Sequence, residues 1–392
     1  MKLKVLRVVT ASYVVPWHLN NTLKRMTDDF EVCVVGQEVS VNQSEYPKVK
    51  FADINISRKA NFFEDIKALY VLCKFVNQYR PHIIHSIMPK AGFLASIAGI
   101  ICRIPVRIHT FTGQTWVAKK GFTRHLYYIF DLVINIFNTV CLTDSFSQSA
   151  FLAKHYITQS NKPLPVLSKG SLSGVEIRRF NNNLFAEKRQ SLRTSLGIQD
   201  DEFVFSFIAR KTQAKGAIDI LKAFSVVSES YKKTRLLFIG PDEDGEISQL
   251  RISNSELFSK VIEIGHVNNH ELYLAITDVL CLPSYREGFG SIIIDAAAMS
   301  VPSIGSRIPG LTDSVVENET GLLFQAGNIN ELVNKMMKFI ENPELQKIMG
   351  VNARNRVERF FTADLLYESL KSFYLKYMSE KYEIEKKSDE TS

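Results

Sequence analysis

An α/β protein of two domains, each a parallel sheet with helices on both faces, is predicted by three observations. The chain has 392 residues, more than one hydrophobic core usually organises. Short apolar runs of strand length alternate with helix-spaced segments, the rhythm of a sheet covered on both sides. That rhythm restarts after a stretch bearing Pro, Ser and Gly near Pro163 to Phe180. With 45% apolar and 23% charged residues, the composition is globular and excludes a mostly disordered chain.

The elements follow in order. Leu3 to Thr10 reads as the first strand, Glu31 to Gly36 as a second and Lys48 to Ile54 as a third. Phe62, Ile66, Leu69, Tyr70, Cys73 and Val76 recur at helical spacing, so Phe62 to Tyr79 is a helix. Pro81 precedes the short buried strand His82 to Ser86. Pro89 to Gly92 opens an apolar helix of small residues, and Val106 to His109 is another strand. Leu126 to Leu142 is apolar but holds Asp131, Asn135 and Asn138, which suits a buried or interfacial helix. After the seam, Phe203 to Ile208 is a strand and Ala217 to Ser228 a helix. Leu236 to Gly240, Val261 to Gly265, Val279 to Pro283 and Ser303 to Gly305 are further strands. Residues 351 to 378 are helical, and the Glu/Lys/Ser tail from Ser379 is expected to be loose.

The net charge of +7 is unevenly spread. Residues 1 to 170 carry 21 Lys and Arg against 10 Asp and Glu, or +11; the remainder carries 27 against 31, or −4. A basic half suits a membrane surface, a phosphorylated ligand or nucleic acid. Nucleic acid is disfavoured, because no aromatic stacking motif accompanies the dispersed cations. The five cysteines show no CxxC spacing and lie mainly in apolar runs, so they read as buried thiols of a reducing compartment. Met1 leads directly into a strand-like run with no cleavable leader pattern, and no run reaches the ~18 apolar residues of a spanning helix. A cytoplasmic protein that touches the membrane is expected.

In open α/β sheets ligands bind outside the carboxyl ends of the strands, so the chemistry is sought there. A strand ends at Pro283, and Ser284-Tyr285-Arg286-Glu287-Gly288-Phe289-Gly290 leads into an apolar helix. Gly288 and Gly290 carry no side chains, so backbone N–H groups at a helix N-terminus can approach a phosphate or sugar. Glu287 lies in the loop, and Asp295 lies eight residues on, about two helical turns. One carboxylate can hold sugar hydroxyls and the other a ribose diol. Arg210 and Lys215 stand in Arg210-Lys211-Thr212-Gln213-Ala214-Lys215-Gly216 after the strand Phe203 to Ile208. Two cations from one loop can neutralise a diphosphate. Asp242-Glu243-Asp244 reads as a solvated turn, not a metal motif, and His18, His82 and His85 read as structural.

These segments resemble the Glu-x7-Glu signature and the Arg-x4-Lys-Gly element of retaining glycosyltransferases with the GT-B fold, family four (group 1). Val301 to Ser306, Pro309-Gly310, Asp313 and Glu319 to Leu323 resemble that family's next stretch. Asp295 stands where Glu is usual, and Ala11 to His18 lacks the Gly-rich loop that many members carry after the first strand. His82 to Gly92 and Arg107 to Gln114 resemble members that build bacterial surface polysaccharides on polyprenyl diphosphate.

The resemblance implies two Rossmann-like domains facing across a cleft. Residues 1–170 would bind acceptor, 171–355 the nucleotide-sugar, 356–378 would be a helix returning to the first domain, and 379–392 a flexible tail. It implies that Arg210 and Lys215 stabilise the leaving diphosphate and that Glu287 positions the donor sugar. It implies further that backbone at Gly288, Phe289 and Gly290 lies near the donor, Asp295 holds ribose, and backbone near His266 and Val267 meets the base. His109 would contact the donor sugar or assist the transition state. Lys90, at a predicted helix start, suits a phosphate of the acceptor, with Gln114 nearby. Trp116 beside Lys119 and Lys120 suits a headgroup-level membrane contact. A UDP-sugar, with an N-acetylhexosamine as the sugar, is the expected donor, and no metal or other cofactor is expected. A sugar-nucleotide epimerase, a hydrolase or a silent nucleotide-sugar-binding subunit are the alternatives; Arg210, Lys215, Glu287 and His109 speak against the silent subunit. The composition carries no expectation for the oligomeric state.

Overall fold

The computed structural model describes residues 2–390 except 58–60, 159–161, 244, 246, 248, 249 and 252–254. The chain forms two compact units, one of Met1–Gly174 with Ala363–Ser392 and one of Val175–Thr362.

The first unit holds a six-stranded sheet of β1 (Leu3–Ala11), β2 (Phe30–Gln37), β3 (Lys50–Asp53), β4 (Ile83–Ile87), β5 (Val106–Phe111) and β6 (Val140–Thr143). Their order is β3-β2-β1-β4-β5-β6, and every neighbouring pair is parallel. The side-chain period of two sorts each strand between two cores. Val5, Val9, Val32 and Val34 face a core with Leu23 and Met26 of helix Asn20–Asp29 and Leu370 and Tyr374 of helix Ala363–Glu390. Leu6, Val8, Cys33 and Val35 face the opposite core, with Leu72 and Val76 of helix Phe62–Tyr79 and Leu94 and Ala98 of helix Pro89–Ile101. Both faces are dry, which is why the strands read as apolar runs.

The second unit repeats the plan with β7 (Phe203–Ile208), β8 (Thr234–Ile239), β9 (Val261–Ile264), β10 (Val279–Leu282), β11 (Ser303–Ser306) and β12 (Gly321–Phe324). Their order is β12-β11-β10-β7-β8-β9, again wholly parallel. One face packs Phe205, Phe207 and Phe238 against helices Ala217–Ser230 and Ile329–Glu341. The other packs Leu280 and Leu282 against helices Ser291–Ala298 and Pro343–Phe360. Counted within each unit, the strand order is 3-2-1-4-5-6. The direction of winding therefore reverses between β1 and β4, and between β7 and β10, where crevices for ligands open.

Two strands lie beyond the sequence reading, β6 and β12. Each has four residues and a single pairing neighbour at a sheet edge. The apolar run Leu126 to Leu142 is divided between helix Gly121–Phe137 and β6. The return to the first unit comes at Ala363, not at residue 356. Val357 and Phe361 are buried in the second unit's core, so the chain stays there through Thr362. The last helix runs Ala363–Glu390, past the point where a loose tail is expected. Lys and Glu are good helix formers, and Lys376 and Glu380 pair one turn apart at 3.8 Å.

Candidate active site

The loops after β7 and β10, where the winding of the second unit reverses, carry Arg210, Lys211, Lys215 and Glu287. The loop after β7 is fixed from below by Lys211. Its backbone N–H donates to Pro241 O at 2.8 Å. Its buried Nζ donates to Glu263 Oε1 at 2.9 Å and to Ile264 O at 3.1 Å. Burial pushes this amine down to about 8, because the charged form is poorly solvated there. Arg251 meets the other oxygen of Glu263.

The loop then makes one turn, Gln213–Lys215, and leaves it through Gly216 at φ +71°. A Cβ on Gly216 would lie 2.1 Å from Pro283 O. Only glycine lets this loop lie against the end of β10. Tyr285 N–H donates to Ala214 O at 2.9 Å and closes the contact. Lys215 Nζ consequently meets Glu287 Oε1 at 2.6 Å, and the buried Ser284 hydroxyl donates to the same oxygen at 2.8 Å. Arg210, at the start of the loop, donates from Nη1 to Glu243 Oε2 at 2.9 Å. The turn expected at Asp242-Glu243 is thus tied to Arg210, and Asp242 Oδ1 accepts Gly245 N–H at 3.0 Å. Asp244 lies outside the described residues.

Pro309-Gly310 supports Glu287 from the far side. Gly310 has φ +90°, and a Cβ there would lie 2.4 Å from Gly288 O. Phe289 is buried and packs on Phe361 at 5.4 Å between ring centroids, so it offers a ligand its backbone only. Gly290 precedes helix Ser291–Ala298, along which Asp295 lies. Asp295 Oδ2 is 3.0 Å from His270 Nε2. Val267 follows β9 half-buried, packed against the small core of Ile198, Val204, Leu237, Ile239 and Ile276. The sequence reading missed Lys211, Ser284 and His270. The first two lie inside its motifs, and their signal is a Lys and a Ser at strand ends; His270 carries no local signal.

The first unit holds the other expected residues. His109 on β5 is 1% exposed, with Nδ1 2.9 Å from Ser86 Oγ and the ring packed on Gly92. Burial pushes its imidazole down to about 3, so it is neutral. Lys90 is buried, with Nζ 2.5 Å from Asp65 Oδ2, and Gln114 is buried as well. Lys119 is exposed. Trp116 corrects the surface expectation. It is 2% exposed, donates its indole N–H to Asp131 Oδ2 at 2.9 Å, and stacks on Phe151. An indole with a buried acceptor and an aromatic wall is drawn inward. The same burial lifts Asp131 to about 7. His85 and His82 are structural partners, His82 Nδ1 accepting Lys4 N–H at 2.9 Å.

Large apolar residues are also exposed beside this region. Helix Gly121–Phe137 buries Asp131, Ile134 and Asn135 and exposes Phe122, Ile129 and Ile136, each seven residues apart. Helix Phe62–Tyr79 exposes Phe62, Phe63, Ile66 and Tyr70. Among the described residues no helix is long and apolar enough to cross a membrane.

Residues 188–356 match the family model for glycosyl transferases group 1. The capsular polysaccharide biosynthesis glycosyltransferase CapM of Staphylococcus aureus is 29% identical over 387 residues, 96% of this chain and 98% of CapM. The UDP-Gal:alpha-D-GlcNAc-diphosphoundecaprenol alpha-1,3-galactosyltransferase of Escherichia coli is 23% identical, covering 82% of each chain. Anabaena HepE, solved in complex with UDP and glucose, superposes with a TM-score of 0.80 at 16% identity, covering 95% of this chain and 99% of HepE. The fold is GT-B.

Proposed function

We propose that this chain, a group 1 glycosyltransferase of the GT-B fold, moves a hexose or N-acetylhexosamine from a UDP-sugar to a glycan carried on polyprenyl diphosphate. Retention at the anomeric carbon and a role in surface polysaccharide synthesis at the cytoplasmic face of the membrane belong to the same reading. The observation that carries it is the convergence of Lys215, Glu287 and Ser284 on the β7–β10 crevice, with Arg210 opening the same loop. The capsular relative supports the polysaccharide assignment, and the Escherichia coli relative, by its name, supports the UDP donor and the lipid diphosphate acceptor.

In this reading Arg210 and Lys215 exchange their carboxylate partners for diphosphate oxygens. Two fixed cations at the leaving group stabilise charge where it develops, the term that usually contributes most to catalysis. Glu287, released from Lys215 but still held by Ser284, accepts hydroxyls of the donor sugar. Asp295, oriented by His270, accepts the ribose diol. The bond from the anomeric carbon to the leaving diphosphate breaks as the acceptor hydroxyl oxygen bonds to that carbon on the same face, and a diphosphate oxygen takes the acceptor proton, so no enzymic nucleophile is needed. Phe122, Ile129 and Ile136 with Lys119, Lys120 and Arg124 nearby form the membrane contact, an apolar face flanked by cations.

The test is release of nucleoside diphosphate from a panel of UDP- and GDP-sugars, with and without detergent-solubilised polyprenyl-diphosphate-linked sugar. Release with one donor that requires the lipid acceptor is the expected result. Equal release without acceptor would sink the transferase reading in favour of an epimerase or hydrolase.

A further inference from the structure

A buried cation outside the site just described lies in the first unit. Arg7 is at the middle of β1 and only 4% exposed. Its described polar partners are both neutral. Nη1 lies 2.8 Å from His85 Nδ1, its cross-strand neighbour on β4, and 2.8 Å from the hydroxyl of Tyr374 on helix Ala363–Glu390. Its Nε makes no hydrogen bond.

The direction of the network follows from Arg7. A guanidinium can only donate, so His85 Nδ1 accepts and the imidazole proton is on Nε2. Burial and the nearby Arg7 hold His85 neutral. Tyr374 accepts from Arg7 and donates to Nδ1 at 2.6 Å. His85 Nε2 then donates to Thr110 Oγ1 at 2.7 Å, and the Thr110 proton is left to donate elsewhere. Every bond in this chain runs outward from the cation, and none compensates its charge. A guanidinium taken out of water without a counter-charge is costly.

Arg7, His85 and Thr110 line a cavity of about 20 Å³ with Thr143, Leu366 and Leu370. About 10–15 Å³ suffices for one water, so the space suits a single particle of that size or slightly larger. We propose that it binds one small inorganic anion, of chloride size, held by Arg7 Nε–H and the Thr110 hydroxyl. The anion neutralises Arg7 where the C-terminal helix meets the sheet, and so completes the attachment of that helix. A water molecule would satisfy the donors but leave the charge.

Thermal unfolding of the full chain in sodium chloride against sodium gluconate, at equal ionic strength, tests this. Wild type should gain on the order of 3 °C, saturating with chloride. Arg7→Met should lose the chloride-specific gain, and Thr110→Val should weaken it. Identical responses in wild type and Arg7→Met would overturn the proposal. Should Arg7→Met not fold, Thr110→Val and bromide-soaked crystals decide. An anomalous peak beside Arg7 supports the site, and a cavity without one at saturating bromide refutes it.

Discussion

Gly216→Ala tests how the site is assembled. The new methyl group carries two penalties. At φ +71° a non-glycine residue costs roughly 1–2 kcal/mol. Its Cβ would also lie 2.1 Å from Pro283 O, so the loop must withdraw by about 1.3 Å to reach the 3.4 Å of ordinary contact. That withdrawal separates Lys215 from Glu287, which now meet at 2.6 Å. A misplacement of ~1 Å costs about 100-fold in rate where geometry is critical. The expected result is a roughly 100-fold loss of kcat with a fall in Tm of a few degrees. The control is Gly197→Ala. Gly197 has φ +69° with nothing within 4 Å of its Cβ, so it carries the backbone penalty alone. The assay is diphosphate release with the cognate donor and lipid acceptor, alongside thermal unfolding of both variants. If Gly216→Ala keeps wild-type kcat, or if both variants lose activity alike, close packing of the two loops does not set the site.

Lys215→Ala and Glu287→Ala should each lower kcat about 100- to 1,000-fold, the usual effect of removing one preorganised electrostatic partner; near-normal turnover by either would remove it from the machinery. Burial pushes the Asp131 carboxyl up to about 7, from the ordinary carboxylate value near 3.8. The folded state therefore binds the extra proton between those values, and the stability this provides is complete below about pH 4 and lost as pH rises through 7. Asp131→Asn should flatten that part of the Tm–pH curve, and an unchanged slope would point to another group. Replacing Phe122 and Ile129 by Ser should reduce sedimentation with anionic vesicles while leaving Tm within about 2 °C; undiminished sedimentation would rule this face out as a membrane contact.

Much of the architecture is written locally in this chain. A strand such as Val5 to Val9 and a helix such as Phe62 to Tyr79 declare themselves through period and composition, because each buries its own face. The motifs at the carboxyl ends of β7 and β10 are legible for a similar reason. Arg210, Lys215-Gly216 and Glu287-Gly288 sit directly after strands, and the glycines mark where backbones must approach closely. Other features depend on atoms distant in sequence. β6 is the end of an apolar run that otherwise reads as one helix, and β6 and β12 are placed only by their pairing with β5 and β11. Trp116 is internal because Asp131 and Phe151 come to it, and its neighbours Lys119 and Lys120 give no hint of that. Asp295 finds His270 across 25 positions, and Lys215 finds Glu287 across 72. The sequence alone therefore determined which residue types stand at the carboxyl ends of the strands. Tertiary structure decided which of them share a partner and which are buried, because pairing and desolvation are properties of the packed sheet and not of a segment.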